Sequence, residues 1–294
     1  MDTLTKQTAI ESDDDRSWDM VIEPQRGLLD LHFGELWRYR DLVMLFVRRD
    51  FVSVYKQTIL GPLWFLIQPL LTTITFTVIF GRIASLPTDG LPQFLFYMSG
   101  TVVWAYFADV LNKTSNTFVN NSQVFGKVYF PRMAVPVSIL ISSLITFLIQ
   151  FALFLVFVVY FLLSGSAIHL NGLWILFSPV LLLMMAGLGL GFGIIISSLT
   201  TKYRDLRFLV QFGVQLLMYA TPVIYPVSSI SAKYQWIMLA NPMTSIVEAF
   251  RYAFLGAGDA NLGHLLYSFV FMLVVVFIGS VVFNRVEQTF MDTV

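Results

Sequence analysis

The sequence predicts an all-α membrane protein with six transmembrane helices, an amphipathic helix in the membrane interface before them, and re-entrant helices on the outer side before the last span. Hydrophobic residues make up 57% of the chain and charged residues only 12%, whereas a soluble domain carries about 25% charged residues. The mean hydropathy is +0.75. A chain of this composition cannot keep a large surface in water, so its solvent must be lipid.

Six apolar segments are long enough to be spans. A helix needs about 20 apolar residues to cross the hydrocarbon. The uncharged stretch from 133 to 201 is too long for one helix, and the turn-forming residues around Gly165 and Gly172 divide it in two. The predicted spans lie near residues 63–83, 93–113, 136–163, 173–199, 206–225 and 264–284.

The distribution of Lys and Arg predicts that both termini are cytoplasmic. Six spans leave the termini on the same side, and cytoplasmic segments carry an excess of positive charge. With the termini inside, ten basic residues flank the cytoplasmic span ends and three lie on the opposite side. The ten are Arg48, Arg49, Lys56, Lys113, Lys127, Arg132, Lys202, Arg204, Arg207 and Arg285, and the three are Arg82, Lys233 and Arg251.

The segment before the first span predicts a helix that lies in the membrane interface. At 100° per residue Val43 and Phe46 fall on one side of residues 34–51, while Arg48 and Arg49 fall on the other. Such a helix suits the boundary between lipid and water. Its basic face would contact either lipid phosphates or a protein partner.

The polar segment at 114–135 predicts a short cytoplasmic helix. It is too long for a tight turn and too polar to cross the membrane, and Gly126 and Pro131 would end a helix near 119–126. The helix is a docking element if a soluble partner exists, and an ordinary loop otherwise. Its candidate docking residues are Asn120, Gln123, Val124, Phe125 and Lys127.

The apolar segment at 235–256 predicts two short helices that dip in from the outer face and return. As a further span it would place Glu248 and Arg251 in hydrocarbon, at a cost of about 2.5–3.5 kcal/mol each. Irregular backbone at that depth requires cover from protein or a water-filled cavity. Glu248 and Arg251 are three residues apart and can pair, either as a structural ion pair or as part of a pathway.

Alternating glycines in the fourth predicted span indicate close helix packing. Gly187, Gly189, Gly191 and Gly193 place small residues four apart. Such spacing lets the backbones of neighbouring membrane helices approach each other.

The sequence carries no signature of catalysis or of a bound cofactor. It has no cysteine, no G-x-x-x-x-G-K-[ST] phosphate loop and no nucleophile–histidine–acid set. His32, His169 and His264 are far apart and lack metal spacing, and the zero net charge does not indicate nucleic acid. Charges within the spans are few, so the energy for any transport should come from another subunit.

Aromatic residues make up 16% of the chain, and a minority of them are candidates to line a conduit. Most must face lipid or form interfacial belts. Sugar rings present C–H faces that stack on aromatic rings, so an aromatic conduit would suit a glycan. The candidates are Trp64, Phe94, Tyr97, Trp104, Tyr106 and Phe107.

Several separated motifs occur together in this sequence. They are RRDFVSVYKQTILGPLWFLIQPLL at 48–71, KVYFPR at 127–132, KYRDL at 202–206, TPVIYP at 221–226 and NPM at 241–243. In order and position they resemble the ABC type-2 exporter permeases of the polysaccharide branch. The similarity is greatest to the Wzm-like O-antigen exporter subunits, with capsule and teichoic-acid exporters nearby.

The resemblance covers roughly residues 34–286 and implies a partner set. It implies a homodimer in a bacterial inner membrane with two separate ATPase subunits that hold ATP and Mg, and a lipid-linked polysaccharide as substrate. Residues 119–130, with Arg48 and Arg49 on the interface helix, would meet the ATPase. Residues 226–256 would form gate helices at the outer exit, with Tyr225, Asn241, Glu248 and Arg251 as channel or gate candidates.

The predicted organisation follows from these segments. It comprises a polar acidic cytoplasmic tail at 1–33, an interface helix region at 34–60, an ABC type-2 transmembrane domain at 61–286 and a cytoplasmic C-terminus at 287–294.

Three other functions stay open from the sequence. The first is a type-2 exporter of a drug or another lipid. The second is a membrane enzyme that processes lipid-linked sugars, for which only the loop at 226–263 is large enough and Glu248 and Asp259 are its acids. The third is a scaffold without transport activity.

Overall fold

The computed structural model describes residues 33–56, 58–125, 127, 130–200, 203 and 205–293. The predicted polar tail at 1–33 lies outside these residues apart from Phe33. Every regular element in the described part of the chain is helical. The helices are α1 (Phe33–Arg38), α2 (Arg40–Tyr55), α3 (Trp64–Phe76), α4 (Gln93–Ser115), α5 (Thr117–Phe125), α6 (Ala134–Leu163), α7 (Gly172–Thr200), α8 (Leu206–Tyr219), α9 (Ala232–Leu239), α10 (Pro242–Leu255) and α11 (Leu262–Thr293).

Five helical segments of the described chain are long and apolar enough to cross a membrane. They are Gly61–Ile83, Gln93–Ser115, Ala134–Leu163, Gly172–Thr200 and Leu262–Val286. The first of them consists of a 3₁₀ turn, α3 and a π-helical turn that ends at Ile83.

The segment predicted as a span at 206–225 forms a shorter helix. α8 ends at Tyr219 after 14 residues, which corresponds to about 21 Å at a rise of about 1.5 Å per residue. Pro222 and Pro226 follow within seven residues and cannot continue a helix without loss of a backbone hydrogen bond. α8 is therefore shorter than the hydrocarbon thickness of about 30 Å.

α4 lies at the centre of the bundle. It packs against α3, α6, α7, α8 and α10, and nearly all of its side chains from Leu95 to Phe107 are buried. In their most apolar stretches, α3 and α6 have few buried residues, and most of their side chains there are half-buried or exposed. The main core therefore forms around α4 and α7, and the surfaces of α3 and α6 remain available to lipid or to other chains.

The alternating glycines of α7 separate into two packing faces. A Cβ added at Gly191 would lie 2.9 Å from the backbone nitrogen of Val276 on α11, and one added at Gly193 would lie 2.6 Å from Cβ of Thr114 on α4. Residues two apart on a helix point to nearly opposite sides. The glycine run therefore lets α7 approach both α11 and α4 closely. The predicted close packing is confirmed.

Replacing Gly191 with alanine is expected to lower the free energy of unfolding by about 1–3 kcal/mol relative to Gly213→Ala, because the added methyl group overpacks the contact between α7 and α11. A Cβ at Gly213 on α8 meets no atom within 4 Å. Both substitutions carry the same intrinsic helix-propensity gain, so their difference in thermal unfolding reports the packing. Equal melting temperatures would contradict the close approach.

Candidate functional site

A buried arginine organises the end of the bundle near α9 and α10. Arg251 on α10 is 1% exposed. Its Nη1 donates to the carbonyl of Pro222 at 2.5 Å, and its Nη2 donates to the carbonyl of Val223 at 2.8 Å. Its Nε donates to Oγ of Ser99 at 3.3 Å. The guanidinium thus joins α10 to α4 and to the segment that follows α8.

Aromatic and acidic groups complete the environment of Arg251. Its Cζ lies 3.8 Å from the ring centroid of Phe96, and its Nη1 lies 3.5 Å from Oε1 of Glu248, so the ion pair predicted from the three-residue spacing forms. Oε2 of Glu248 accepts a hydrogen bond from the backbone of Asp259 at 3.2 Å. The buried guanidinium of Arg251, which would be costly if it were unpaired, is therefore paired with a carboxylate and hydrogen-bonded.

Gly100 allows this arrangement because the site has no room for a side chain there. A Cβ at Gly100 would lie 2.7 Å from Nη2 of Arg251 and 2.9 Å from the carbonyl oxygen of Val223. Gly100, Ser99 and Phe96 are partners of Arg251 that no sequence motif indicated. A short run of small residues in an otherwise bulky helix is the local signal for Ser99 and Gly100, and Phe96 has no such signal.

The other two candidates of the outer segment connect it to the end of α8. Asn241 caps α10, since its Oδ1 accepts from the backbone of Met243 at 3.0 Å, and its Nδ2 donates to Oγ1 of Thr221 at 2.8 Å. The hydroxyl of Tyr225 donates to the carbonyl of Tyr219 at 2.6 Å. These bonds stabilise the turn that follows α8 and join it to the start of α10.

The six aromatic conduit candidates do not share one surface. Tyr97, Trp104, Tyr106 and Phe107 are buried within the chain. Phe94 is half-buried, with its ring 4.7 Å from that of Phe157. Trp64 on α3 is 44% exposed. Within this chain, Trp64 is the candidate whose side chain is accessible.

At the opposite end, α2 and α5 are fixed by a second apolar cluster. Phe118 on α5 stacks on Phe283 of α11 with ring centroids 4.7 Å apart. The ring centroid of Phe130 lies 5.7 Å from that of Phe46 on α2 and 5.6 Å from that of Phe125 on α5. The cluster therefore holds both α2 and α5 against the ends of the longer helices.

This end exposes most of the candidate docking residues. Arg48 and Arg49 on α2 are exposed, and Arg49 forms an ion pair with Asp50 at 2.8 Å. Asn120 and Gln123 are exposed. Lys127 is also exposed, and Val124 is half-buried.

Phe125 differs from its neighbours, since it is 3% exposed and packs in the second cluster. Its side chain supports α5 from inside the chain and is not part of the exposed surface. In the described part of the chain, no group of three or more His, Asp or Glu side chains is placed to hold a metal ion.

Comparisons with known proteins agree with this architecture. A family model described as ABC-2 type transporter matches residues 41–255. The chain is 26% identical over 253 residues to an O-antigen export system permease protein RfbA of Klebsiella pneumoniae, which covers 86% of this chain and 94% of the relative.

Two further relatives carry similar names. The RfbA protein of Myxococcus xanthus, also an O-antigen export system permease, is 28% identical over 75% of this chain and 82% of its own length. The polysialic acid transport protein KpsM of Escherichia coli is 23% identical over 80% of this chain and 89% of its own length. Since the family model covers well over half of the sequence, the chain belongs to the ABC-2 type transporter family.

Proposed function

We propose that this chain is the membrane subunit of an ATP-driven exporter that carries a lipid-linked polysaccharide, such as O-antigen, across a bacterial inner membrane. The observation that carries the proposal is that relatives named for O-antigen export match it over 75% to 86% of its length. The relative named for polysialic acid transport makes that type of polysaccharide the second candidate substrate.

The proposed assembly is a homodimer with two copies of a nucleotide-binding subunit. The sequence has no phosphate loop, so ATP and Mg would bind to the partner and this chain would not be an enzyme. The partner would meet the exposed residues Asn120, Gln123 and Lys127, together with Arg48 and Arg49. A rigid connection from this surface to the spans through the second cluster supports a mechanical role.

The proposed topology has six spans and cytoplasmic termini, with 1–33 and 287–294 in the cytoplasm. α8 and the turn at 220–225 would together form the fifth span, and α2 would lie in the interface. α9 and α10 would be the re-entrant gate helices at the outer end, where Arg251 would hold α10 against α4 and the segment after α8. Closure of the ATPases would move the spans as rigid bodies and open a channel between the two copies.

The proposal is tested by purifying the tagged chain from native membranes and identifying what accompanies it. An equimolar subunit with a Walker motif and ATPase activity is expected. The triple substitution Asn120→Ala, Gln123→Ala, Lys127→Ala should reduce its recovery at least tenfold, because it removes the polar contacts of the docking surface.

Lys233→Ala serves as the matched control, since Lys233 is exposed on α9 at the other end of the bundle. It should leave recovery of the ATPase unchanged. A wild-type chain that purifies without any ATPase would refute the exporter proposal. Unchanged recovery with the triple variant would refute only the docking surface.

A further inference from the structure

A polar groove of about 440 Å³ lies between α3, α4 and α6. Its volume falls within the range of about 300–1,000 Å³ that is typical of small-molecule sites. Thr101 and Lys113 mark its extent on α4, which corresponds to about 18 Å along the helix axis. The groove thus runs from the end of α4 that leads into α5 toward the middle of the membrane span.

Three amide side chains in this groove have no hydrogen-bond partner in the described part of the chain. They belong to Gln68 on α3, Asn112 on α4 and Gln150 on α6, and Oδ1 of Asn112 is itself buried. Amide groups at membrane depth are costly when unpaired. Three of them around one groove indicate that a polar ligand or water occupies it.

The charges around the groove balance each other. Oδ2 of Asp109 accepts from Nζ of Lys113 and from Oγ of Ser143, each at 2.7 Å. Oδ1 of Asp109 accepts no hydrogen bond from another described residue and is left to accept one from a ligand. A phosphate would bring negative charge next to the Asp109 carboxylate, whose partner Lys113 is already engaged, so the groove favours a neutral group.

The chemistry of the lining matches a sugar ring. Each amide both donates and accepts, as each sugar hydroxyl does, and Asp109 adds an acceptor. Phe65, Tyr106 and Phe147 are the aromatic residues of the lining, and the rings of Tyr106 and Phe147, with centroids 5.1 Å apart, are buried. The half-buried ring of Phe65 can pack against the C–H face of a sugar ring while the amides bind the ring hydroxyls.

We propose that this groove binds the neutral, hydroxyl-rich sugar head group of a lipid, whose tail stays in the surrounding bilayer. The inference rests on the proposed function in one respect, that the sugar lipid is the exported substrate. The groove lies within a single copy of the chain and is built without α8 or the outer helices. Its role would be to hold the lipid-proximal sugar before transport.

The test uses the purified full chain, with any subunit that accompanies it, in phosphatidylcholine nanodiscs. A lipid that carries one glucose and a photoreactive group beside the sugar is added, and cross-linked peptides are mapped by mass spectrometry. Peptides of α3 and α6 should be labelled, and unlabelled glucosyl lipid should compete. Gln68→Leu with Gln150→Leu should weaken this competition about tenfold or more, since two hydrogen-bonding groups are lost.

Gln211→Leu, an exposed glutamine of α8 outside the groove, is the control and should bind the lipid as the wild type does. Gln68→Leu alone gives a second readout if the double variant folds poorly, because Gln68 is exposed. Labelling elsewhere, no labelling, or an affinity unchanged in the variants would overturn the proposal. Equal competition by phosphatidylglycerol would assign the groove to a phospholipid head group instead.

Surface polysaccharide in cells tests the link to export. The double variant should lower it while ATPase recovery stays normal. Normal surface polysaccharide with weakened sugar binding would overturn the transport role of the groove. A wild-type preparation that contains no ATPase would refute the exporter function. It would leave the proposed groove untouched, because sugar binding is measured independently in the same preparation.

Discussion

Replacing Arg251 with methionine should destabilise the protein by about 3–5 kcal/mol, because Glu248 would then be buried without its cation and two backbone carbonyls would lose their donor. Glu248 is 5% exposed and cannot reach bulk water without rearrangement of α10. Arg251→Lys should fail to restore stability, since one ammonium cannot reproduce the fork that contacts both Pro222 and Val223.

Thermal unfolding of the purified variants measures this effect. The double substitution Arg251→Met with Glu248→Gln should be more stable than Arg251→Met alone, because the unpaired charge is gone. Arg82→Met is the control, as Arg82 is exposed, and should change stability by less than about 0.5 kcal/mol. Wild-type stability of Arg251→Met would show that the network is not required for the fold.

Replacing Phe118 with alanine should release α5 from the bundle. Phe118 is 1% exposed and stacks on Phe283, and truncation of a buried Phe costs about 3–5 kcal/mol. Because the loss is concentrated at one short helix, we expect local opening in addition to a lower melting temperature. Hydrogen exchange of residues 117–125 should rise at least tenfold, while exchange in the core of α4 changes less.

Phe212→Ala provides the matched control, since Phe212 on α8 is 60% exposed. It should leave exchange in α5 unchanged. If α5 presents the docking surface, Phe118→Ala should also reduce recovery of the ATPase although no exposed docking residue has changed. Unchanged exchange in α5 would show that Phe118 does not hold this helix in place.

Local sequence signals identified the spans and the unusual segments but not their packing. The scarcity of charge predicted membrane helices because each charged side chain in hydrocarbon is costly, and the described chain has five helices long and apolar enough to cross a membrane. The predicted span at 206–225 illustrates the limit. Its composition is mostly apolar, yet α8 stops at Tyr219 before Pro222.

The docking segment shows the same limit at the level of single residues. The sequence placed Gln123 and Phe125 in one short helix, but only the fold shows that Gln123 is exposed while Phe125 is buried in a cluster with α2. The aromatic candidates show the same limit. The rings of Tyr97 and Trp64 are equally suited to contact a sugar, but Tyr97 is buried and Trp64 is exposed. Composition predicts that rings are available, and burial decides which are accessible.

By itself the sequence determined the membrane class, the positions of five long apolar helices and the ion pair of Glu248 with Arg251, because each depends on neighbours within a few residues. The α7 glycines indicated close packing, but not that α11 and α4 are the partners. Only the tertiary structure decided which groups share a site. Arg251 meets Ser99 across 152 residues, and the groove joins Gln68 to Gln150. Such meetings depend on how whole helices pack, and no local periodicity encodes them.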